Sequence, residues 1–333
     1  MNPALSVVVI GRNEGQRLIA CLESIPAAKQ IPTPVEVIYI DSNSTDGTPA
    51  KAAELGARVI VLDHGRMAAA RARNTGWRAA SAPFILFLDG DTTLDPEFVE
   101  AAMKEFADPE VAVVWGERRE IRPEASIYNR VLDLDWIAPP GLSDFCGGDS
   151  IMRRKMLERT GGFNPDLIAG EEPDLCRRMR GLGVKILHIA APMTKHDLAI
   201  HHLSQYWRRA VRTGFAYAEI SSRYRATSDP LWSAESRGNI LRGSLYAGAA
   251  VLAMIASLGL RSPAPLLILA GMALAVVIRT AVLARWKSPS WTTLFLFAIH
   301  SHLQHVPILQ GQILYRIGRW RGQRRELIEY KSS

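Results

Sequence analysis

The chain has 333 residues, of which 48% are hydrophobic and 22% charged, and its formal net charge is +7. This composition excludes an intrinsically disordered protein, and the length suffices for one large α/β domain with an appendage. The positive charge would suit nucleic acid, but the arginines concentrate beside two long apolar segments, where anionic lipid head groups are the better partner, so we expect no nucleic-acid binding.

The N-terminal third alternates strand and helix signals in the manner of a parallel, doubly wound α/β sheet. Short β-branched runs predict the strands, and amphipathic or Ala-rich stretches predict the helices between them. Strands are expected at residues 5–10, 35–40, 58–62, 84–88 and 111–115, and helices at 14–24, 49–55 and 67–80. Thr48 is the expected N-cap of the second helix, with Pro49 at its first position.

Polar side chains follow three of these strands where each strand ends. Asn13 and Glu14 follow the first strand, Asp41 follows the second, and Asp89-Gly-Asp91 follows the fourth. Ligands of open α/β sheets collect at the carboxyl ends of strands, so we expect a binding cleft there. The sequence lacks Gly-x-Gly-x-x-Gly after the first strand and lacks a Walker loop, which disfavours a dinucleotide oxidoreductase and a nucleotide-hydrolysing motor.

Asp89 and Asp91 would place two carboxylates close together at the mouth of this cleft. Such a pair repels itself unless a cation intervenes, and Mg²⁺ or Mn²⁺ takes oxygen ligands that it shares with nucleotide phosphates. Asp-Gly is also an ordinary turn dipeptide, so the pair gains its meaning from its neighbours. Asp41 offers an acceptor for a nucleotide base N–H, and Arg73 offers a guanidinium for a diphosphate.

A second acidic cluster, at residues 170–174 (GEEPD), opens a predicted helix. First-turn acids stabilise a helix through its dipole, but this does not explain the double glycines at 147–148 and 161–162, which suit close approach by a substrate. A general base must lie within about 3 Å of the hydroxyl that it deprotonates. A carboxylate at the start of this helix is the candidate base.

Two long apolar segments follow, at residues 243–260 and 263–284. The first has no charged residue and the second only Arg279, and each approaches the roughly 20 residues that a bilayer core requires of a helix. The short link between them favours a transmembrane hairpin over the alternative, a pair of buried core helices. Because no signal peptide opens the chain, we expect the catalytic part to be cytoplasmic, at the inner (plasma) membrane.

Basic residues flank both apolar segments, so the positive-inside rule places both flanks in the cytoplasm. The flanking cations are Arg208, Arg209, Arg212, Arg223, Arg225, Arg237 and Arg242 before the first segment, and Arg285, Lys287, Arg316, Arg319, Arg321, Arg324 and Arg325 after the second. Residues 291–317 hold a shorter apolar run interrupted by histidines, which predicts an interfacial amphipathic helix, with a third span as the alternative. We therefore divide the chain into a catalytic domain at 1–230, a transmembrane hairpin at 231–287, and an interfacial helix with a basic cytoplasmic tail at 288–333.

Four motifs together carry a family resemblance: SVVVIGRNE at 6–14, VIYIDSNSTDGT at 37–48, ARNTG at 72–76 and ILFLDGD at 85–91. In order and spacing they resemble the family 2 glycosyltransferases of the GT-A fold, and the resemblance extends over roughly residues 4–215. It implies a Rossmann-like, mostly parallel sheet flanked by helices and a nucleotide-sugar donor. C-terminal membrane helices would follow this domain.

The resemblance also implies roles for residues at matching positions. Asp41 matches the residue that holds the base, Asp89 the ribose and metal region, and Asp91 the metal carboxylate of the Asp-x-Asp motif. The candidate nucleotide-binding residues within these motifs are Gly11, Asn13, Glu14, Asp41, Asp46, Arg73 and Asp89.

Residues 170–174 match the family's Glu-Asp helix start, whose second acid is the general base. Glu172 stands at that position, one methylene longer than the usual Asp, so Glu172 is the predicted base and Glu171 and Asp174 are its rivals. A histidine after this helix often completes the metal or phosphate site in related enzymes, which makes His196 the candidate third metal ligand. The alternative for His196 is a packed or solvated loop residue.

Gln205-x-x-Arg208 resembles the Gln-x-x-Arg-Trp signature of the family's membrane synthases, but Arg209 replaces the Trp. This departure, together with only two convincing spans, argues against processive polymer synthesis. Arg208 and Arg209 are predicted to bind a diphosphate or a lipid phosphate. The alternative is a basic helix face lying on the membrane.

The sequence thus predicts an inverting glycosyltransferase that transfers a sugar from a UDP- or GDP-sugar to the hydroxyl of a lipid-linked acceptor, in exopolysaccharide or glycolipid assembly. Its expected partners are the nucleotide-sugar donor, the lipid-linked acceptor and membrane lipids, and its cofactor is Mg²⁺ or Mn²⁺. A polyprenyl-phosphate sugar synthase is the alternative enzyme, and a non-catalytic membrane scaffold with a vestigial nucleotide pocket is the second alternative. Cys21, Cys146 and Cys176 have no paired spacing and are expected to be structural thiols.

Overall fold

The computed structural model describes residues 3–29, 31, 34–62 and 68–322. The predicted helix start at Met67 and the cations Arg324 and Arg325 lie outside the described residues. The chain divides into two compact units, one formed by Met1–Ile121 and Trp136–Leu198 and the other by Arg122–Asp135 and Ala199–Ser333. The predicted catalytic domain at 1–230 therefore extends beyond the first unit, which ends at Leu198.

Strands and helices alternate through the first unit, and the second unit is helical in its described part. α5 and α8 to α12 belong to the second unit, and all other elements belong to the first. In chain order the elements are β1 (Leu5–Gly11), α1 (Gln16–Ser24), β2 (Glu36–Asp41), α2 (Thr48–Glu54), β3 (Arg58–Val61), α3 (Ala69–Ala79), β4 (Phe84–Asp89), β5 (Thr92–Leu94), α4 (Phe98–Glu105), β6 (Val111–Glu120), α5 (Ile127–Asp135), β7 (Gly141–Leu142), β8 (Ser150–Arg153), α6 (Arg154–Thr160), α7 (Glu171–Arg180), β9 (Lys185–His196), α8 (Leu203–Tyr224), α9 (Ser233–Gly259), α10 (Ala264–Leu283), α11 (Trp291–Leu303) and α12 (His305–Trp320).

The first unit is built on one sheet, which has nine strands within the described residues. The strand order is β3-β2-β1-β4-β8-β6-β9-β5, and β7 pairs with β9. Strands β1 to β4 run parallel, as do β6 and β9, whereas β5, β7 and β8 pair antiparallel with their neighbours. The predicted class, a mostly parallel sheet flanked by helices, is confirmed.

Alternate residues of the central strands face two separate cores, because side chains of a strand point to opposite faces. Val7 and Val9 of β1 pack in one core with residues of α1 and α4, including Leu18 and Phe98. Val8 packs in the other core with residues of α3, α6 and α7. Helices therefore cover both faces of the sheet. Because both faces are buried, its central strands are continuous apolar runs rather than alternating ones.

The strand register brings polar residues to one edge of the sheet. Gly11 pairs with Asp41, and Ile10 pairs with Asp89, so the ends of β1, β2 and β4 lie side by side. At the far side of the sheet, His196 of β9 pairs with Thr92, the residue that follows Asp91. Residues distant in sequence thus meet beside the Asp-Gly-Asp turn.

Local structure departs from the expected pattern at several points. The N-cap of α2 is Gly47, in the left-handed region with φ of 78°, and the predicted cap Thr48 is the first helical residue. β6 continues to Glu120, and neither β8 nor β9 was predicted. These strands carry polar residues among their apolar ones, and this obscures a strand pattern.

Two helices of the second unit, α9 and α10, are long and apolar enough to cross a bilayer, judged by length and composition. Only 6% of the apolar window of each helix is buried within the protein, unlike a core helix of a soluble domain. The large aliphatic side chains on both helices are accordingly exposed, among them Leu252, Leu258, Leu267 and Ile268.

The predicted single amphipathic helix at the C-terminus is two helices, α11 and α12. Polar contacts within the second unit account for two of its histidines. His300 contacts the Tyr206 hydroxyl at 2.7 Å and Asp135 at 2.8 Å, and His302 contacts Tyr246 and Thr280. The three cysteines of the chain are free and buried.

Candidate active site

Three potential metal ligands meet at the carboxyl end of β4. One ligand atom from each of Asp89, Asp91 and His196 lies within 4.8 Å of the others. Asp91 Oδ1 is 3.3 Å from His196 Nε2, and both of these side chains are buried. Two carboxylates and an imidazole form a mixed oxygen and nitrogen donor set that suits a divalent cation such as Mn²⁺. The residues present therefore fit the cofactor that the sequence predicts.

Arg73 of α3 joins Asp89 to the acidic start of α7. Its Nη2 donates to Asp89 Oδ1 at 2.8 Å, and its Nη1 lies 3.0 Å from Glu171 Oε1 and 2.9 Å from Glu172 Oε1. The guanidinium is 3% exposed, so three carboxylates surround one buried cation. Gly148 makes room for this group, since a Cβ there would lie 2.4 Å from Arg73 Nη2 and 2.9 Å from Asp89 Oδ2.

Burial and mutual charge set the protonation of this cluster. Burial by itself would lower the pKa of Arg73, but Glu172, Asp89 and Glu171 outweigh it and raise that pKa. Burial, together with the charge of Glu171, raises the pKa of Glu172 to about 7, against the opposing effect of Arg73. A carboxyl group with a pKa near neutrality is suited to accept a proton at physiological pH, as a general base must.

Asp174, the other predicted rival for the base, lies in a different environment. It is 1% exposed, and its Oδ2 accepts from Arg178 Nη2 at 2.7 Å. Arg178 also donates to the backbone carbonyls of Thr160 and Gly162 at 2.7 and 2.8 Å. The pair therefore ties α7 to the loop before it, which favours a supporting role for Asp174. Glu171 and Glu172, in contrast, both contact Arg73.

The residues predicted to line the nucleotide pocket form a hydrogen-bonded network at the ends of β1 and β2. Asp41 accepts from the Tyr39 hydroxyl at 2.8 Å and from the backbone N–H and hydroxyl of Ser44 at 2.7 and 2.5 Å. Asn13, at φ of 54°, accepts from the Thr45 N–H at 2.8 Å and donates its own N–H to Ser44 Oγ at 2.8 Å. The two loops thus brace each other beside the candidate metal ligands.

The remaining predicted nucleotide residues support these loops. Glu14 pairs with Arg17 at 2.8 Å, and a Cβ at Gly11 would lie 3.0 Å from Glu14 Cγ. Asp46 Oδ1 accepts from the Thr48 N–H at 3.0 Å and from its hydroxyl, so this carboxylate satisfies the start of α2. Nucleotide binding by these residues stays a prediction.

Three residues outside the predicted site contact the candidate metal ligands, namely Arg118, Trp136 and Asp149. A fourth residue, Thr194, contacts Asp149. Asp149 directly follows the double glycine at 147–148. An acid after two glycines is the sequence feature that could have identified it as a site residue. Arg118 and Thr194 lie in β6 and β9, and no local motif marks them.

Arg208 and Arg209, the predicted phosphate ligands, lie on α8 in the second unit. Gln205 of the same signature accepts the backbone N–H groups of His201 and His202 at 2.8 and 3.0 Å, so its amide caps the start of α8. Phosphate binding by the two arginines stays a prediction.

Comparison with known proteins places residues 6–161 in a match to the family model described as Glycosyl transferase family 2. A pre-mycofactocin glycosyltransferase of Mycobacterium tuberculosis is 27% identical over 243 residues, an alignment that covers 68% of this chain and 49% of that protein. The chain thus spans about half the length of this relative.

Solved structures share the fold at low identity. The mannosyltransferase PcManGT from Pyrobaculum calidifontis, in complex with GDP-Man and Mn²⁺, superposes with a TM-score of 0.65 at 20% identity, covering 94% of this chain and 88% of that one. Residues 1–349 of TarS from S. aureus, in complex with UDP-GlcNAc, superpose with a TM-score of 0.50 at 14% identity, covering 97% and 93%. At these identities the likeness shows the fold.

Gly148→Ala is expected to destabilise the protein, because the added Cβ collides with Arg73 and Asp89, which their ion pairs hold in place. We expect the Tm of the purified full chain to fall by about 2–6 °C, as for an overpacked buried site. Gly147→Ala is the matched control, since a Cβ at Gly147 meets no atom within 4 Å. Equal Tm values for the two variants would contradict the close packing at Gly148.

The stability of the Glu172→Gln variant, compared with that of the wild type at the same pH, is expected to increase as pH rises from about 5 to about 8. The pKa of Glu172 is about 7 in the folded protein, against 4.5 for an ordinary glutamate side chain. The folded state therefore binds more protons in that window, and wild-type stability falls as pH rises through it, by about 1–3 kcal/mol. Gln does not titrate and escapes this loss.

The measurement is the Tm of both proteins at each pH. Glu105→Gln, which removes an exposed carboxylate on α4, serves as the control. A Tm difference between Glu172→Gln and the wild type that does not change with pH would rule out the raised pKa.

Proposed function

The chain carries a family 2 glycosyltransferase domain with the GT-A fold, and on this premise we propose that it is an inverting, metal-dependent glycosyltransferase. Its donor is a UDP- or GDP-sugar, and its acceptor is the hydroxyl of a lipid-linked saccharide at the cytoplasmic face of the inner membrane. A product of this kind would enter exopolysaccharide or glycolipid assembly.

One observation carries the proposal: Arg73 links a candidate metal site to a candidate base. Asp89 is one of the three candidate metal ligands and also pairs with Arg73, which in turn contacts Glu172. Displacement at a sugar–phosphate bond needs positive charge near the leaving diphosphate and a proton acceptor near the attacking hydroxyl. The cluster supplies both within one network of side chains.

Asp89, Asp91 and His196 would hold the cation, Mg²⁺ or Mn²⁺, and such an ion neutralises negative charge on a diphosphate when it is bound. Arg73 keeps Asp89 and the start of α7 at fixed positions. Glu172, whose pKa lies near 7, accepts the proton of the acceptor hydroxyl as the new glycosidic bond forms. Glu171 contributes by raising the pKa of its neighbour.

The apolar helices α9 and α10 support a membrane-bound acceptor. Their exposed apolar surface would be costly in water, and their length matches a bilayer core. The arginines that flank both helices favour a cytoplasmic location for each flank. An enzyme fixed to the membrane surface is suited to an acceptor that is confined to the same surface.

We expect the detergent-purified full chain to release nucleoside diphosphate from one donor of a UDP- and GDP-sugar panel, with Mn²⁺ or Mg²⁺ and a membrane lipid extract. GDP-mannose and UDP-GlcNAc, the ligands seen in the two structural neighbours, are the first donors to test. Asp91→Ala and Glu172→Gln should each lower the rate by about 10²–10⁴-fold, as expected for loss of a metal carboxylate or a general base.

Glu105→Gln, on an exposed position of α4, should retain the wild-type rate. Transfer to a bare polyprenyl phosphate in place of a saccharide hydroxyl would instead identify a polyprenyl-phosphate sugar synthase. Failure of the wild-type chain to bind or turn over any donor would leave the non-catalytic scaffold as the better account.

A charge in the middle of α9 tests the membrane assignment. Leu252 is 68% exposed, so Leu252→Arg would be harmless if α9 faced water but costs roughly 2.5–3.5 kcal/mol at the centre of a bilayer. We expect the variant to lower the fraction of the chain that membranes retain after an alkaline carbonate wash. Leu55→Arg, at a 44% exposed leucine of the first unit, is the matched control. Equal retention of both variants would argue against a membrane span at α9.

A further inference from the structure

A buried ion pair lies next to Asp89, one of the candidate metal ligands. Asp149 is fully buried, and its Oδ2 lies 2.7 Å from Arg118 Nη2. The same Nη2 lies 3.6 Å from Asp89 Oδ2. Arg118 therefore stands between two carboxylates, and Asp149 holds it the more closely.

Asp149 also fixes the backbone that presents the Asp-Gly-Asp turn. Its Oδ1 accepts the Asp89 N–H at 2.9 Å, and its Oδ2 accepts the Thr194 hydroxyl at 2.8 Å. Thr194 lies two residues before His196 on β9, so both side chains point to the same face of that strand. One carboxylate thus connects the turn that carries Asp89 to the strand that carries the imidazole ligand.

Arg118 is also connected to His196, the candidate imidazole ligand, through the ring of Trp136. Its guanidinium carbon lies 5.5 Å from the centre of the Trp136 ring, and that ring meets His196 edge-on with centroids 5.2 Å apart. Movement of Arg118 would therefore change both the charge beside Asp89 and the packing against His196.

We propose that Asp149 is a positioning residue that keeps the Arg118 guanidinium out of hydrogen-bond contact with Asp89, at 3.6 Å, so that the Asp89 carboxylate can serve a divalent cation. This inference rests on the metal-dependent function proposed above and deepens it. Arg73 already occupies Asp89 Oδ1 at 2.8 Å. A second guanidinium hydrogen-bonded to Asp89 would compete with the cation for the same carboxylate, because like charges repel strongly in a poorly hydrated site.

The alternative is that Arg118 and Asp149 form a purely structural ion pair. The two accounts differ in what happens when the charge of Asp149 is removed and Arg118 is then removed as well. A structural pair predicts cumulative damage. A positioning role predicts that the second substitution repairs the first, because it deletes the competing cation.

The test is the Mn²⁺ affinity of the detergent-purified full chain, measured from the EPR signal of free Mn²⁺ with GDP, with UDP and without nucleotide. Asp149→Asn keeps an oxygen to accept the Asp89 N–H but releases Arg118, and it should weaken Mn²⁺ binding at least tenfold. Adding Arg118→Gln should restore the affinity to within about threefold of the wild type. Thr194→Val removes a hydrogen bond to the same oxygen but keeps the charges, and it should change the affinity less than about threefold.

A double variant that binds Mn²⁺ as weakly as Asp149→Asn, or more weakly, would overturn the inference and leave the metal-dependent function intact. If Asp149→Asn does not fold, Arg118→Gln alone decides, since the inference predicts equal or tighter Mn²⁺ binding and a tenfold loss would refute it. A wild-type chain that binds no Mn²⁺ under any of the three conditions would refute this inference and the proposed metal dependence together.

Discussion

The site depends on the buried guanidinium of Arg73 and the three carboxylates around it. A buried cation is stable only when it is paired and hydrogen-bonded, and three buried or half-buried acids without such a cation would repel each other. Asp89, Glu171 and Glu172 come from two distant segments of the chain, and Arg73 comes from a third. The ion pairs between the Arg73 guanidinium and these carboxylates therefore fix the relative positions of β4, α3 and α7 at this point.

Close packing of the backbone makes this arrangement possible. A Cβ at Gly76 would lie 2.2 Å from Val8 Cγ1, so only glycine lets α3 approach β1 closely enough at this point. Gly148 has the same function beside Arg73 and Asp89. Asn74, next to Arg73, holds the loop before α7 by bonding both the N–H and the carbonyl of Phe163. Small and polar residues at these positions thus determine where the charged residues lie.

The two sets of acids in the site differ in environment and hence in chemistry. Asp89 and Asp91 lie beside an imidazole and offer oxygen ligands, whereas Glu172 lies beside another carboxylate in a buried position, which raises its pKa to about 7. Carboxylate oxygens beside an imidazole are suited to hold a cation, and a group near its pKa is suited to move a proton. Asp149 and Arg118 belong to neither set of acids. In the role proposed above, they control the charge next to Asp89.

The sequence by itself determined the strands with continuous β-branched runs, the two apolar helices, and the acids at the strand ends. These follow from local composition and from the rule that ligands collect at the carboxyl ends of parallel strands, so Asp41, Asp89 and Asp91 could be named in advance. Glu172, at a helix start, was named through the resemblance to the family's motif. Only the tertiary structure placed β8 and β9 in the sheet, separated Asp174 from the acids that contact Arg73, and brought Asp149, Arg118 and Thr194 next to the candidate metal ligands. These features depend on strand register and on burial, which join residues that are far apart in the chain and leave no periodic signal in the sequence.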